Sequence, residues 1–331
     1  MPKVTTIAEL RHYQRQNHMH RSWGLVPTMG SLHEGHLQLI KKAFQENKVT
    51  FVSIFVNPTQ FDNKADLDNY PSSINKDLQK IQAIDPNICV FVPSVETIYP
   101  DGAAVKKYAL QGLDKPMEGR HRPGHFDGVA TVVERLFTLI QPNVAYFGQK
   151  DFQQLQIVSL LGQSMGIQVF SLPTIREQNG LAMSSRNRRL SPERREEAKL
   201  IYELLQWTKS NFSSHTIIEL KEMAVQKLAK TQDFELDYFE IAAEHNLQTV
   251  DSKKDGMSYR AFIAVVVDDI RLIDNMSLNW VYLRHDNRSS QIQNSSCHRY
   301  WRWTGLRRKH HHRPCFDECS RFGCWWKSTS C

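Results

Sequence analysis

The sequence predicts an α/β protein, a Rossmann-like parallel-sheet domain followed by a smaller α+β domain. Three observations predict it. Short apolar runs alternate with helix-like stretches over the first 170 or so residues. After Pro173 the order changes to helices followed by strands. The length of 331 residues is generous for one domain and comfortable for two.

The elements read in chain order as follows. Trp23 to Pro27 is a strand and Leu37 to Phe44 part of a helix. Val49 to Val56 is a near-continuous apolar run, as expected of a strand buried on both faces. Asp77 to Ile84 reads as helix, Ile88 to Val92 as strand, and Val129 to Ile140 as helix. Asn143 to Phe147 is a strand, Phe152 to Met165 a helix and Ile167 to Leu172 a strand. Strand–helix alternation implies a parallel sheet covered by helices, and right-handed crossovers bring the strand carboxyl ends to one edge, where ligands bind. In the second part Ser191-Pro192 is a helix start, Ser as N-cap and Pro at the first helical position. Helices are expected over Pro192 to Lys209 and Ile217 to Lys230, then strands over Phe234 to Ala242 and Arg260 to Val267. The expected domains are 1–173, 174–279 as a lid, and a tail, 280–331.

Forty per cent hydrophobic residues is ordinary for a globular chain. No apolar run approaches the roughly 20 residues a membrane helix needs, and Met1 to Leu10 lacks an apolar signal region, so a cytoplasmic location is the expectation. The net charge of +7 suggests nucleic acid until its distribution is read. Residues 280–331 hold ten Lys/Arg against three Asp/Glu, leaving the other 279 residues balanced at 32 against 32. That neutral body argues against a nucleic-acid partner. The tail also holds five of six cysteines; Cys89 alone lies in the body, which therefore has no internal disulfide and suits a reducing compartment.

Three polar clusters follow strands of the parallel sheet, where this fold class places ligands. The first is Thr28-Met29-Gly30-Ser31-Leu32-His33-Glu34-Gly35-His36. A Gly-containing turn enters a helix whose N-terminal amides and dipole attract phosphate. His33 and His36 share one face of the first turn, and Gly35 leaves room for a nucleotide. A zinc-peptidase reading fails, because that motif spaces its histidines four apart. Asn57-Pro58-Thr59-Gln60-Phe61 offers two side-chain amides, Asn57 and Gln60, suited to a small hydroxy acid. Gly148-Gln149-Lys150-Asp151 brings a lysine for phosphate oxygens, with Gln154 one helical turn beyond. A fourth segment, Gly180 to Arg186, joins two hydroxyls and an arginine at the domain junction, where a closing loop would sit. Each cluster alone is equally compatible with an ordinary turn or solvated helix end.

Together these clusters closely resemble the pantothenate synthetase, or pantoate–β-alanine ligase, family. The resemblance rests on VPTMGSLHEGHL (Val26 to Leu37), VSIFVNPTQF (Val52 to Phe61), HRPGHFDGVATVV (His121 to Val133), YFGQKDFQQL (Tyr146 to Leu155) and NGLAMSSRNR (Asn179 to Arg188). It runs to about Asn275, where Ile273-Asp274-Asn275 looks like the family's usual ending. The family belongs to the HIGH-motif nucleotidyltransferases; His33 to His36 stands for that motif and Met183 to Arg186 for the KMSKS-like one. The resemblance implies an enzyme that joins pantoate to β-alanine through a pantoyl-adenylate, with ATP as substrate, Mg²⁺ accompanying it, and a homodimer. It implies ATP binding by Met29, Gly30, Ser31, Leu32, His33, Glu34, Gly35, His36, Gly148, Gln149, Lys150, Asp151, Ile175, Met183, Ser184, Ser185 and Arg186. Gln60 and Gln154 would bind pantoate, and His33, His36, Lys150 and Arg186 would be catalytic. Protein ligands for a metal are unknown.

The chain departs from the family's pattern in places. Gln149 stands where Glu is usual, a change of modest effect if its backbone makes the contact. Ser72-Ser73 replaces Arg-Thr, and Asn75-Lys76-Asp77 replaces a more acidic run, which puts a metal site there in doubt. Nothing in the family resembles residues 280–331, which we read as out-of-frame or read-through translation. Zinc binding by Cys315, Cys319, Cys324 and His310 to His312 stays open, as does nucleic-acid binding by Arg307-Arg308-Lys309. The alternative for the body is another small-substrate nucleotidyltransferase of the same superfamily.

Overall fold

A computed structural model describes residues 1–279 other than Arg21, residues 62–66, Asn69, Ser72, Lys230 and Gln232. The readings of the tail as out-of-frame, zinc-binding or nucleic-acid-binding, and the Ser72 departure, lie outside the described residues. Those described form part of one compact unit, Met1–Trp280.

Its centre is a six-stranded parallel sheet: β1 (Lys3–Val4), β2 (Trp23–Thr28), β3 (Val49–Ile54), β4 (Cys89–Phe91), β5 (Val144–Gly148) and β6 (Gln168–Leu172), in the order β1-β4-β3-β2-β5-β6. From β2 the chain steps outward to β3 and β4, then returns to β5 on the other side of β2. Strand order therefore reverses between β2 and β5, and the crevice at their carboxyl ends is the switch point where such sheets take ligands. All six residues of β3 are buried, as its near-continuous apolar run predicts, Thr50 and Ser53 included. The reason is that successive side chains enter different cores. Leu25, Phe51 and Ala145 join one, with α1 (Ile7–Gln16), α6 (His125–Ile140) and α7 (Phe152–Ser164). Val26, Val52 and Tyr146 join another, with α2 (Glu34–Glu46) and Ile81 of α3 (Ile74–Ile84). Two short helices, α4 (Val95–Ile98) and α5 (Glu118–His121), lie between α3 and α6. No helix among the described residues is long and apolar enough to cross a membrane.

The remainder of the unit is a three-stranded antiparallel sheet, β7 (Phe234–Ala243), β8 (Tyr259–Val267) and β9 (Ile270–Ser277), with α8 (Pro192–Glu197), α9 (Lys199–Asn211) and α10 (Ile217–Leu228). Phe262 and Ala264 pack into the core shared with the parallel sheet, while Ile263 and Val265 pack with Leu204, Leu205 and Leu220 of α9 and α10. Both faces of β8 are covered, so its sequence is apolar without alternation from Ala261 to Val267. The single helix expected over Pro192 to Lys209 is two, broken at Ala198, which is fully buried at the turn. Ser191 caps α8 with Pro192 at its first position, as the sequence predicts. Strands β1 and β9 and helix α1 were not expected. The β8–β9 hairpin closes on Asp268 and Asp269, both with positive φ (47° and 61°), the backbone of a two-residue type I′ turn.

Candidate functional site

The predicted clusters leave the sheet at its carboxyl edge, on either side of the switch point. Where β2 ends, Thr28 donates through its hydroxyl to the Ser53 carbonyl of β3 (2.7 Å) and accepts from the Gly30 N–H (3.2 Å), turning the chain out of the sheet. Gly30 and Ser31 both have positive φ (82° and 51°). Glycine is needed at the first, because a side chain would be strained there and would meet Ile54 and Asp77 at 3.1 and 3.2 Å. This backbone aims the N–H groups of Ser31 and Leu32 at one point, a nest for an anion. The anion is internal. Asp77 of α3, 1% exposed, accepts from Ser31 N–H through Oδ2 (2.7 Å) and from Leu32 N–H through Oδ1 (2.8 Å).

The loop's carbonyls are engaged as well. Leu32 O accepts from Lys80 Nζ (2.5 Å) and Arg188 (3.2 Å), and Ser31 O accepts from the Ser185 hydroxyl (3.0 Å). Arg188 also donates to Ser31 Oγ (3.2 Å). Ser31 and Leu32 are therefore held from all sides, and Leu32 has its side chain fully in the core. The sequence expects phosphate-attracting amides at the helix N-terminus, and there Glu34 and Gly35, the first residues of α2, have N–H groups that make no hydrogen bond to any described residue. The Glu34 carboxylate turns along the helix to Gln38 (2.5 Å) and Lys41 (3.2 Å). At Gly35 a side chain would press on the His33 ring at 3.0 Å and approach Ile175.

His33 and His36 stack with ring centroids 4.0 Å apart. Burial, then the neighbouring His36 and the cations Lys150, Arg188 and Lys80, push His33 down to about 2. Burial does most to push His36 down to about 4, with Asp151 opposing and Lys150, Lys80 and Arg188 assisting. Both rings are neutral at pH 7. His36 Nδ1 accepts the His33 backbone N–H (3.3 Å), so the neutral ring carries its proton on Nε2. His33 Nδ1 is buried without a partner among the described residues.

The second cluster forms a 3-10 turn, Pro58–Gln60, after β3. The structure corrects the reading of Asn57 as a ligand amide. Asn57 is 1% exposed and spent internally: Oδ1 accepts from Tyr99 (2.8 Å) and Thr59 (3.0 Å), and Nδ2 donates to Gly128 O (3.2 Å) and Gln60 Oε1 (3.2 Å). Gln60 Nε2 lies 3.1 Å from Met29 Sδ, joining the second cluster to the first. The Gln60 carbonyl contacts His125 Nδ1 (2.7 Å) and accepts from Arg122 (3.3 Å). Helix α6 approaches this turn so closely that a side chain at Gly128 would sit 2.2 Å from Thr59 O.

The third cluster is a 3-10 turn, Gln149–Asp151, after Gly148. Lys150 Nζ is 3.5 Å from Asp151 Oδ1, and both act electrostatically on His36. The Gln149 side chain points away, to Ser171 of β6 (3.1 Å), so only its backbone faces Asn275. Gln154 is half-buried, and its side chain makes no hydrogen bond to any described residue.

The fourth segment is a loop pinched at the Arg176–Ala182 bridge, with Met183 N–H donating to Ile175 O (3.0 Å). Ser184 caps the turn Ser185–Arg189, accepting from Arg186 N–H (3.3 Å). Through Ser185 and Arg188 it grips the first loop. The sequence reading missed Lys80, Arg188 and Asn275 as parts of this arrangement, and saw Asp77 only as the remnant of a metal site. Arg188 and Asn275 lie inside matched segments, whereas Asp77 and Lys80 lie outside all of them. The described residues contain no group of three His, Cys, Asp or Glu able to hold a metal, and Asp77 is committed to the loop. These residues do not fit a protein-held metal centre.

Nearly all of the described chain matches a single known family. The family model described as Pantoate-beta-alanine ligase matches residues 3–277. A pantothenate synthetase from Flavobacterium psychrophilum is 48% identical over 257 residues, covering 77% of this chain and 91% of that one. The crystal structure of pantothenate synthetase from Thermus thermophilus superposes with a TM-score of 0.77 at 38% identity, over 84% of this chain and 99% of that one. Pantoate-beta-alanine ligase from Francisella tularensis, solved with beta-gamma ATP and beta-alanine, gives 0.70 at 34% identity, over 84% and 98%. With the match spanning both sheets and every cluster above, the chain belongs to the pantoate–β-alanine ligase family.

Proposed function

We propose that the protein condenses pantoate with β-alanine in two steps at the β2/β5 switch point. The pantoate carboxylate attacks the α-phosphorus of ATP, giving pantoyl-adenylate and pyrophosphate. The β-alanine amine then attacks the activated carbonyl, giving pantothenate and AMP. The observation that carries the reading is the junction of two neutral histidines, Lys150 and free helix-end amides with the neutral amide of Gln60 beside Met29. Phosphate-binding groups on one side and the neutral amide of Gln60 on the other suit ATP next to a hydroxy acid.

A carboxylate is ionised near pH 7, so the first step needs no general base. It needs in-line positioning and donors for the charge that grows on phosphate oxygens. Lys150 and Arg186 supply charge. His36 Nε2–H and the Glu34 and Gly35 amides supply neutral donors that cost no proton transfer. Gln60 and Gln154 hold pantoate, and the loop Ile175 to Arg186 closes over the nucleotide. In this reading the nucleotide-binding domain ends near residue 173 and residues 174–279 act as its lid.

The test is AMP release from ATP with pantoate and β-alanine, omitting each in turn. We expect release to need pantoate and, for turnover, β-alanine. AMP formation indifferent to both would sink the assignment.

A further inference from the structure

Strand β9 carries two adjacent buried polar residues, Asp274 (3% exposed) and Asn275 (4%). Neighbouring side chains on a strand point to opposite faces, so the pair reaches two different segments. Asp274 grips Arg176 through both oxygens (2.5 and 3.1 Å). Arg176 also donates to Gly180 O (3.1 Å) and lies over the Tyr202 ring at 4.1 Å. It is thereby fixed at the mouth of the loop that leads into Met183 to Arg186.

Asn275 Nδ2 donates to the carbonyls of Gln149 (3.0 Å) and Lys150 (2.6 Å). Its Oδ1 accepts from Arg260 (2.6 Å), which is held by Glu244 (3.0 Å) and lies over the Phe152 ring at 3.9 Å. Both N–H groups and the oxygen of one amide are used, a set that neither Asp nor Ala can supply. A water-sized cavity of about 10 Å³ lies where the segments meet, lined by Lys150, Ser184, Asn187 and Asp274 among others.

We propose that Asn275 is a positioning residue for Lys150. It clamps the backbone on which that lysine stands, while Asp274 in the next register position clamps the loop carrying Arg186. Strand β9 thus sets the spacing between the two cation-bearing segments. The inference rests on the reading that Lys150 meets ATP phosphates.

The experiment is a double-mutant cycle between Asn275→Ala and Lys150→Met on the full chain. The readout is affinity for a non-hydrolysable β,γ-methylene ATP by calorimetry. Asn275→Ala should weaken binding about tenfold with Lys150 present and less than about twofold in the Lys150→Met background. Equal loss in both backgrounds would overturn the proposal, because a merely structural role does not depend on the lysine. If Asn275→Ala does not fold, Asn275→Asp takes its place; it keeps the acceptor for Arg260 and loses both donors, and the same pattern is expected. Unmodified protein with no affinity for the analogue would instead defeat the nucleotide reading, and this inference with it.

Discussion

Asp77→Asn isolates the contact that shapes the first loop. The carboxylate takes two backbone N–H groups at 2.7 and 2.8 Å from a position 1% exposed. An asparagine of the same size keeps one acceptor and turns an NH₂ toward the other N–H. One charge-assisted hydrogen bond is lost and a buried donor is left facing a donor, at a cost of about 2–3 kcal/mol. Unfolding entropy near 2.1 cal/mol/K per residue gives roughly 0.6 kcal/mol/K for a body of this size, so Tm should fall by about 3–5 °C. The larger effect is on chemistry. Without its anion the nest relaxes, Ser31 leaves its positive φ (51°), and His33 moves with it. A displacement of about 1 Å costs about a hundredfold in a well-oriented reaction. Calorimetric melting and steady-state AMP release measure the two effects. An Asp77→Asn variant with unchanged Tm and unchanged kcat/KM for ATP would refute the argument that this carboxylate holds the site.

Three further outcomes follow from the same geometry. His33 and His36 sit at about 2 and about 4 in the fold against about 6.5 when unfolded, so below pH 6.5 the unfolded chain binds more protons. Stability is therefore fully present above pH 6.5 and falls with pH by about 1.4 kcal/mol per unit for each ring; His33→Gln/His36→Gln should flatten that limb in urea titrations, and identical limbs would contradict the neutral pair. Gly128→Ala drives a methyl into Thr59 O at 2.2 Å and Gln60 Cα at 2.9 Å; we expect about 1–3 kcal/mol of destabilisation and a raised KM for pantoate with little change for ATP, and a pantoate KM that stays put would detach Gln60 from substrate binding. Lys150→Met should lower kcat/KM for ATP by about 10²–10³ with the fold intact, whereas a loss under threefold would remove the lysine from the reaction.

The parallel sheet was legible because burial on both faces leaves near-continuous apolar runs such as Val49 to Ile54, and the clusters were legible because loops after such strands are adjacent in space. What escaped was whatever depends on distant partners. Asp77 lies 46 residues from Ser31, and Arg188 lies 157 from it; no local pattern announces either contact. Asn57 has the composition of a ligand residue, yet the approach of α6 and Tyr99 absorbs its amide. Strand β9 was obscured by Asp274 and Asn275, polar residues that look like a strand's end until Arg176 and the Lys150 backbone are placed beside them. Its hairpin turn uses Asp268-Asp269 where glycine-containing pairs are the usual signal.

The acyl-adenylate is the centre of this account, and pyrophosphate exchange tests it most directly. Protein incubated with ATP, labelled pyrophosphate and pantoate, without β-alanine, should carry label into ATP. Omitting pantoate should abolish the exchange. Steady pantothenate formation from a protein that shows no pantoate-dependent exchange would contradict a reversible pantoyl-adenylate at the β2/β5 edge.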